Sequence, residues 1–155
     1  MQAQDLMSKP VVTCRVSDPL HVVARLMWEH DCGAIPVVRE DGRLAGMITD
    51  RDICMAAYME GRPLHELRVD GVMSSPAIYA RADQPVTEVE GLMAEHQIRR
   101  VPVVGADGRP IGLVSLNDLA IESTQPDTWM RHGLVQVAHT LAAICRPHRL
   151  RRKAA

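Results

Sequence analysis

Two short stretches of the chain place a hydroxyl three residues before a carboxylate, at the end of an apolar run. In "GMITDRDI" these residues are Thr49 and Asp52, and in "GLVSLNDL" they are Ser115 and Asp118. A hydroxyl and an acid with this spacing can cap the start of a helix. The same place suits an anionic ligand, because free N–H groups and the helix dipole favour negative charge. The pattern leaves both interpretations open, a helix cap and a ligand site.

The two stretches belong to an internal repeat with a spacing of 66 residues. Residues 5–58 align without a gap on residues 71–124, and 18 of the 54 aligned positions are identical. The matched strings include "IPVV" with "VPVV" and "DGR" with "DGR". Because one register holds over this whole length, we interpret the chain as two copies of one structural unit.

Each copy predicts the order β-α-β-β-α. In the first copy, an extended segment over 11–16 precedes a helix. The apolar residues of that helix have the spacing of one helix face, at Leu20, Val23, Ala24 and Met27. A strand over 34–38, a turn over 40–43 and a return strand over 44–49 follow, since Asp-Gly favours a hairpin turn. A helix over 50–59 ends the unit.

The expected fold is α/β (α+β), with two repeat units at residues 5–60 and 71–124 and a linker at 61–70. Neither unit can bury its apolar sheet face alone, so we expect them to pack with pseudo-twofold symmetry. This packing creates two equivalent clefts, one for each hydroxyl–acid pair. Residues 125–155 hold a predicted C-terminal helix over 129–145 and a basic tail. The basic tail can contact nucleic acid or an acidic partner, or it can be a solvated, disordered end.

The bulk composition argues against several classes of protein. The chain has 155 residues and a net charge of −1, so no overall field points to nucleic acid. No window reaches the apolar length of a membrane span, and the start "MQAQDLMSKP" is not a signal peptide. The sequence therefore predicts a soluble, cytoplasmic protein without a membrane partner.

At this point the residues resemble a known family. "GMITDRDI" and "GLVSLNDL", each behind an "IPVV/VPVV–DGR" hairpin, resemble the motifs of a tandem CBS-domain pair, also called a Bateman module. More narrowly, "EHQIRRVPVV" and "LVQVAHTLAAIC" resemble the small stand-alone CBS proteins of the hypoxic response protein type. The resemblance implies a regulatory module that binds AMP, ATP or S-adenosylmethionine between its repeats. It also implies a C2 homodimer.

In such pairs each site takes its hydroxyl and acid from one repeat and its adenine pocket from the other. By this resemblance, the site that we name cleft one would be formed by Ser115, Asn117 and Asp118, with Val12, Cys32 and Gly33 around the base. The site that we name cleft two would be formed by Thr49, Arg51 and Asp52, with Ile78 and Ile98 around the base and Arg99 and Arg100 near phosphate. Each carboxylate could accept hydrogen bonds from both ribose hydroxyls.

The two clefts differ in their arginines. Cleft two has Arg51 and the pair Arg99-Arg100, where cleft one has Asn117 and the pair Gly33-Ala34. Arginine suits phosphate because its guanidinium donates in a bidentate geometry. We therefore expect phosphate in cleft two, and an empty site or an uncharged adenosyl group in cleft one. The alternative for Arg99 and Arg100 is solvated charge before a strand.

The histidines and cysteines carry weaker signals. His30 and His96 match across the repeat at predicted helix ends, where a cation is favourable. No histidine spacing predicts a metal site, although ligands assembled in space stay open. The four cysteines form no CxxC pair, which argues against a zinc ribbon. A disulfide between Cys14 and Cys145 would clip the tail to the body, and reduced thiols are the alternative.

The leading functional hypothesis is a non-enzymatic sensor that binds an adenosine-containing ligand between its repeats and passes the signal to an unknown protein partner. No Ser/His/Asp set, Cys/His pair or carboxylate dyad predicts catalysis, and no cofactor is required. The alternative is a ligand-free dimeric scaffold, in interaction or stress response, whose tail engages a partner. A third hypothesis is a metal-dependent activity from the scattered histidines.

Overall fold

The computed structural model describes residues 1–123 and 134–146. The chain begins with a short helix, α1 (Ala3–Leu6). The first repeat then contains, in order, β1 (Cys14–Arg15), α2 (Leu20–Glu29), β2 (Ala34–Val38), β3 (Leu44–Thr49) and α3 (Asp50–Glu60). After a 3-10 turn, the second repeat contains β4 (Ala80–Arg81), α4 (Val86–His96), β5 (Arg100–Val104), β6 (Pro110–Ser115) and α5 (Leu116–Ser123). A last helix, α6, spans Leu134–Ile144. The predicted fold of two β-α-β-β-α units is confirmed.

The two repeats have the same sheet topology and the same register. In each, a short first strand pairs in parallel with the second, and the second pairs antiparallel with the third. Val37 lies opposite Gly46 in the first sheet, and Val103 lies opposite Gly112 in the second. The shared register follows from the shared alternation of apolar residues and from the identical turn sequences.

Each repeat has its own hydrophobic core. The core of the first repeat is centred on five fully buried side chains, Leu20, Val23, Ile35, Val37 and Ile48. The core of the second repeat is centred on their counterparts, Val86, Val89, Val101, Val103 and Val114. These are the apolar positions that the helix and strand periodicities predicted. Since the cores are separate, the surfaces between the repeats are available to form clefts.

The segment before each repeat lies on the other repeat. Residues 1–8, which we name the first leading segment, pack on the second repeat, where Ala3 N–H donates to the Gln84 carbonyl at 2.8 Å and Ser8 pairs with Leu113. Residues 73–75, the second leading segment, cross to the first repeat, where Ser74 pairs with Met47. The sequence analysis predicted neither α1 nor this exchange.

The exchange requires glycine in the third strand of each repeat. A Cβ at Gly46 would lie 2.5 Å from the carbonyl oxygen of Ser74, in the second leading segment. A Cβ at Gly112 would meet the side chain of Met7, in the first leading segment. The two glycines, identical in the repeat alignment, therefore permit the close approach of the crossing chain.

The helical faces of the two repeats differ. Helix α6 packs on α4 and α5 of the second repeat and buries Ile144 and Thr140. The helices α2 and α3 of the first repeat instead expose large apolar side chains, with Trp28 88% and Tyr58 82% accessible. The predicted C-terminal helix over 129–145 is present as Leu134–Ile144, while its first part and the basic tail beyond Arg146 fall outside the described residues. Among the described residues, no helix is long and apolar enough to span a bilayer.

Cys14 and Cys145 are free thiols in this structure, which agrees with the reduced alternative and not with a disulfide between them. Cys14 is buried in the core of the first repeat, whereas Cys145 is exposed after α6, which packs on the second repeat. Burial, with a smaller contribution from the Asp18 carboxylate, raises the pKa of the Cys14 thiol from 9.0 to about 12.

Candidate functional site

The hydroxyl–acid pairs form matching caps at the starts of α3 and α5. In the first, Thr49 Oγ1 donates to Asp52 Oδ2 at 2.7 Å, and Asp52 Oδ2 also accepts from Thr49 N–H at 2.9 Å. In the second, Ser115 Oγ donates to Asp118 Oδ2 at 2.6 Å, and that oxygen accepts from Ser115 N–H at 2.7 Å. The helix-cap interpretation is therefore confirmed at both places. Each cap engages the Oδ2 of its carboxylate, and the Oδ1 of Asp118 accepts a further hydrogen bond from Ser8 Oγ at 3.4 Å.

The residues predicted for cleft two line one cavity of about 280 Å³ between the repeats. Six of the seven predicted residues are in its wall, namely Thr49, Arg51, Ile78, Ile98, Arg99 and Arg100. Asp52 is not in the wall, although its counterpart Asp118, which forms the same cap, lines the other cleft. The wall also includes Asp50, Ser74 and Gln97, which the sequence analysis missed. The exchanged leading segment explains Ser74, since it carries that residue onto the first repeat.

The residues predicted for cleft one line a second cavity, of about 600 Å³. Five of the six predicted residues are in its wall, namely Val12, Cys32, Ser115, Asn117 and Asp118. Gly33 was assigned to this cleft, but the structure places it in the wall of cleft two. Gly33 is held beside Asp50, which also lines cleft two, since the Asp50 N–H donates to the Gly33 carbonyl at 3.2 Å. His30 and Asp31 are further wall residues that the sequence analysis did not assign to the cleft.

Two residues, Ala34 and Arg100, belong to the walls of both cavities. They are counterparts in the repeat alignment, and each is the first residue of its strand, β2 or β5. Arg100 pairs in register with Ser115, and Ala34 pairs with Thr49. The two cavities therefore adjoin at the pseudo-twofold axis, with one arginine at the boundary.

The charges of the two cavities differ. In cleft two, Arg51, Arg99 and Arg100 face the single carboxylate of Asp50. In cleft one, Arg100 faces the carboxylates of Asp31 and Asp118. Cleft two thus has an excess of positive charge, and cleft one has a small excess of negative charge when His30 is neutral. This difference favours phosphate in cleft two and disfavours it in cleft one.

Asp50 is the main feature that opposes an anion in cleft two. Its Oδ1 accepts a hydrogen bond from the Arg51 N–H at 2.7 Å, which is one of the free N–H groups at the start of α3. Its Oδ2 lies over Gly33, 2.9 Å from where a Cβ would be. In the second repeat the counterparts are Leu116 and Arg99, so no carboxylate lies at the start of α5 in this position. The carboxylate of Asp50 partly offsets the three arginines.

The surroundings of Cys32 in cleft one change the pKa of its thiol. Burial raises the pKa of its thiol, and a backbone hydrogen bond with Ala34 and the Arg100 guanidinium partly oppose this rise. Arg100 and Cys32 line the same cavity. Within residues 1–123 and 134–146, no three His, Cys, Asp or Glu side chains are grouped so that they could hold a metal ion.

The chain belongs to the CBS domain family. The family profile matches twice, at residues 3–58 and 69–123, which confirms the tandem CBS pair that the motifs indicated. A CBS domain-containing protein of Bacillus subtilis, YhcV, is 39% identical over 88% of this chain and 94% of its own length. Hypoxic response protein 1 of Mycobacterium tuberculosis is 33% identical over 94% of each chain. Both matches span nearly the whole length of the relative.

Solved structures agree with this assignment. A crystal structure of hypoxic response protein I with two zinc ions superposes with a TM-score of 0.72 and 33% identity, over 81% of this chain and 100% of that one. The CBS pair of protein MJ0100, in complex with 5-methylthioadenosine and S-adenosyl-L-methionine, gives a TM-score of 0.71 and 29% identity, over 78% of this chain and 94% of that one. A CBS domain protein of Pyrobaculum aerophilum, complexed with AMP, shares the fold at 21% identity, with a TM-score of 0.72 over 84% of this chain and 96% of that one.

Proposed function

We propose that this protein is a non-enzymatic regulatory CBS pair that binds adenosine-containing ligands between its repeats. The observation that carries the proposal is the composition of the two cavities. In cleft two, the Thr49 hydroxyl of one repeat faces Ile78 and Ile98 of the other. In cleft one, Ser115 faces Val12 and Cys32. A ligand in either cavity would touch both repeats, so its binding would bias how they pack.

Cleft two is proposed to hold an adenine nucleotide such as AMP. Ile78 and Ile98 would enclose the base, and Thr49 Oγ1 with the N–H groups of α3 would meet the phosphate. Arg51, Arg99 and Arg100 would neutralise the phosphate charge. The free Oδ1 of Asp52 would accept from the ribose after a small rotation of its carboxylate out of the cap.

Cleft one is proposed to hold an adenosyl group without phosphate. Its carboxylates, Asp31 and Asp118, suit a neutral or cationic ligand. The CBS pair of MJ0100 was solved with one ligand of each kind, 5-methylthioadenosine and S-adenosyl-L-methionine. Its 29% identity to this chain supports the same ligand class here.

Helix α6 is proposed to report the state of cleft two. Gln97 lines that cleft, and its Nε2 donates to the carbonyls of Ala143 at 3.3 Å and Arg146 at 2.9 Å. A ligand that moves Gln97 would change two hydrogen bonds at the end of α6, which could alter contacts with another molecule.

Isothermal titration with AMP, ATP and S-adenosylmethionine tests the proposal, with Asp52→Asn and Asp118→Asn as matched variants. Asparagine keeps an acceptor for each cap, so both variants should stay folded. We expect AMP binding with a Kd below about 1 mM, weakened by Asp52→Asn about tenfold and left within twofold by Asp118→Asn. If no adenosine compound binds the wild-type protein in this range, the sensor function is refuted.

A second candidate function, a self-associating scaffold, is favoured by the exposed face of the first repeat. Trp28, Met55, Tyr58 and Met59 are all exposed there, whereas α6 covers the corresponding face of the second repeat. Large apolar side chains grouped on a surface often mark an interface. The homodimer and the cytoplasmic location both stay predictions.

Sedimentation of the full chain tests this candidate. A dimer is expected at about 100 μM, a concentration suited to a micromolar Kd, and Trp28→Glu with Tyr58→Glu should shift it to monomer. Tyr79→Glu, at an exposed position in the second repeat, is the control and should leave the dimer intact. A wild-type protein that stays monomeric at this concentration would exclude the scaffold through this face.

A further inference from the structure

Arg100 occupies a place that no other charged residue of the described chain shares, since it lines both clefts. The remaining residue common to both walls is Ala34, its counterpart in the first repeat. The pseudo-twofold axis therefore brings one guanidinium, and not two, to the boundary between the cavities. A single cation between two sites can serve only one of them fully at a time.

The side chain of Arg100 is available to a ligand on either side. Within the part of the chain that the structure describes, eight salt bridges are formed, for example between Arg62 and Glu66. Arg100 takes part in none of them. It is half-buried, whereas Arg51 and Arg99 are exposed. Partial burial reduces screening, so its charge acts more strongly on both cavities than the charge of an exposed arginine.

The net charge of the wall of cleft one depends on where the Arg100 guanidinium points. When Arg100 turns toward cleft two, the carboxylates of Asp31 and Asp118 are the charged groups left in the wall of cleft one, apart from His30 when it is protonated. When it turns toward cleft one, cleft two keeps Arg51 and Arg99 against Asp50. A phosphate in cleft two therefore makes cleft one more acidic.

We propose that Arg100 couples the two clefts as a shared cation, so that an anionic adenine nucleotide in cleft two strengthens binding of a cationic adenosyl ligand in cleft one. The same residue makes two anionic ligands compete. This inference rests on the proposed function, because it needs both clefts to bind. By linkage, the effect is reciprocal, and each ligand changes the affinity of the other by the same factor.

The test is a pair of titrations of the full chain with AMP, one without and one with saturating S-adenosylmethionine. We expect the Kd for AMP to fall about fivefold when S-adenosylmethionine is present, at the lower end of typical coupling. In Arg100→Gln the two Kd values should agree within twofold, and Arg100→Lys, which keeps the charge, should restore part of the difference. Thermal unfolding of each variant confirms that it is folded.

Arg99→Gln is the matched control, because Arg99 lines cleft two but not cleft one. It should weaken AMP binding and leave the coupling factor unchanged. If both ligands bind the wild-type protein but do not affect each other, or if coupling survives in Arg100→Gln, the inference is wrong and the proposed function stands. If neither ligand binds, both are wrong. A rise in the Kd for AMP would show competition for one cleft and would also overturn the inference.

Discussion

The two repeats of this chain share their backbone and differ at their boundaries. Their strands have the same register, and their caps agree to within 0.2 Å between Thr49–Asp52 and Ser115–Asp118. Yet the outer face of one repeat is covered by α6 and the other is exposed. At the axis, Ala34 of one repeat faces Arg100 of the other.

This difference shows where a duplicated unit is free to diverge. Register, core and cap are internal to each repeat, so a change there destabilises the unit. Asp50, Gly33 and Arg99 lie in the wall of cleft two, whereas Leu116, the counterpart of Asp50, packs against the core of the second repeat. Divergence at these positions gives two unlike cavities from one architecture. The predictions below test this comparison, from the largest expected effect to the smallest.

The largest effect is expected at the glycines that admit the leading segments. Gly46→Ala should lower the free energy of unfolding by about 2–3 kcal/mol, because its Cβ meets a backbone carbonyl that the Met47–Ser74 pairing holds in place. Gly112→Ala should cost only about 1 kcal/mol, because it meets the flexible side chain of Met7. Urea denaturation of both variants measures the difference.

Gly91→Ala is the control for these variants, since Gly91 lies in α4 with open space around a Cβ. It should stabilise the protein by about 0.5–1 kcal/mol, as alanine does in a helix. If Gly46→Ala and Gly112→Ala lower the free energy of unfolding equally, the two leading segments are equally rigid and the expected difference between the repeats is wrong.

The next effect depends on pH and compares Cys14 with its counterpart, Ala80. The folded thiol has a pKa raised from 9.0 to about 12, so its contribution to stability is full below pH 9 and is lost as the pH rises toward 12. Between pH 8 and pH 10 the unfolding constant should rise about tenfold from this group. Cys14→Ala, which copies the second repeat, should remove that rise in urea denaturation.

Cys54→Ala is the control here, because Cys54 is exposed. It should leave the alkaline loss of stability unchanged. A pH dependence that persists in Cys14→Ala would mean that other groups cause the alkaline loss.

A smaller effect is expected where α6 is anchored. Gln97→Asn shortens the side chain that donates to Ala143 and Arg146, and asparagine tolerates the left-handed φ of 53° at this position. Losing these bonds should weaken α6 docking by about 1 kcal/mol, seen as roughly fivefold faster amide hydrogen exchange in α6. Asp31→Asn, at the counterpart position with φ 47°, should not change that exchange. Unchanged exchange in Gln97→Asn would show that apolar packing alone anchors α6.

The smallest effect compares the starts of α3 and α5. Asp50→Asn removes the carboxylate that opposes an anion in cleft two, so AMP should bind up to about fivefold tighter, as expected for one partly screened charge. The gain should shrink at high salt, since Asp50 is exposed. Asp83→Asn, a surface carboxylate in the second repeat, is the control in the same titration. Weaker AMP binding by Asp50→Asn would mean that Asp50 accepts a hydrogen bond from the ligand.

Much of the fold was predictable because its signals are local. The strands over 34–38 and 44–49 match β2 and β3, and the helix over 50–59 matches α3 to within one residue. Apolar alternation, an Asp-Gly turn and a hydroxyl–acid cap act over a few residues, so they can be read in sequence. Helix α1 was missed, because four residues held by contacts with Gln84 and Ala82 carry no periodic pattern of their own.

The site was predicted in part, since the repeat located its polar ends but not its walls. The resemblance assigned Thr49 and Ser115 to different clefts, and in the structure Thr49 lines one cavity and Ser115 the other. The place of Gly33 and the shared position of Arg100 depend on how two sheets meet across an axis. Neither follows from spacing along the chain, because the crossing segments decide which surfaces face each other.

The sequence by itself determined two copies of one unit, their strand register and the caps that begin α3 and α5, because these depend on local periodicity, turn chemistry and hydrogen bonds within a few residues. Only the tertiary structure decided that the leading segments exchange, that Cys14 and Cys145 lie on different repeats, and that one arginine lies between two unlike clefts. These features depend on the packing of one repeat against the other, which brings together residues far apart in the chain.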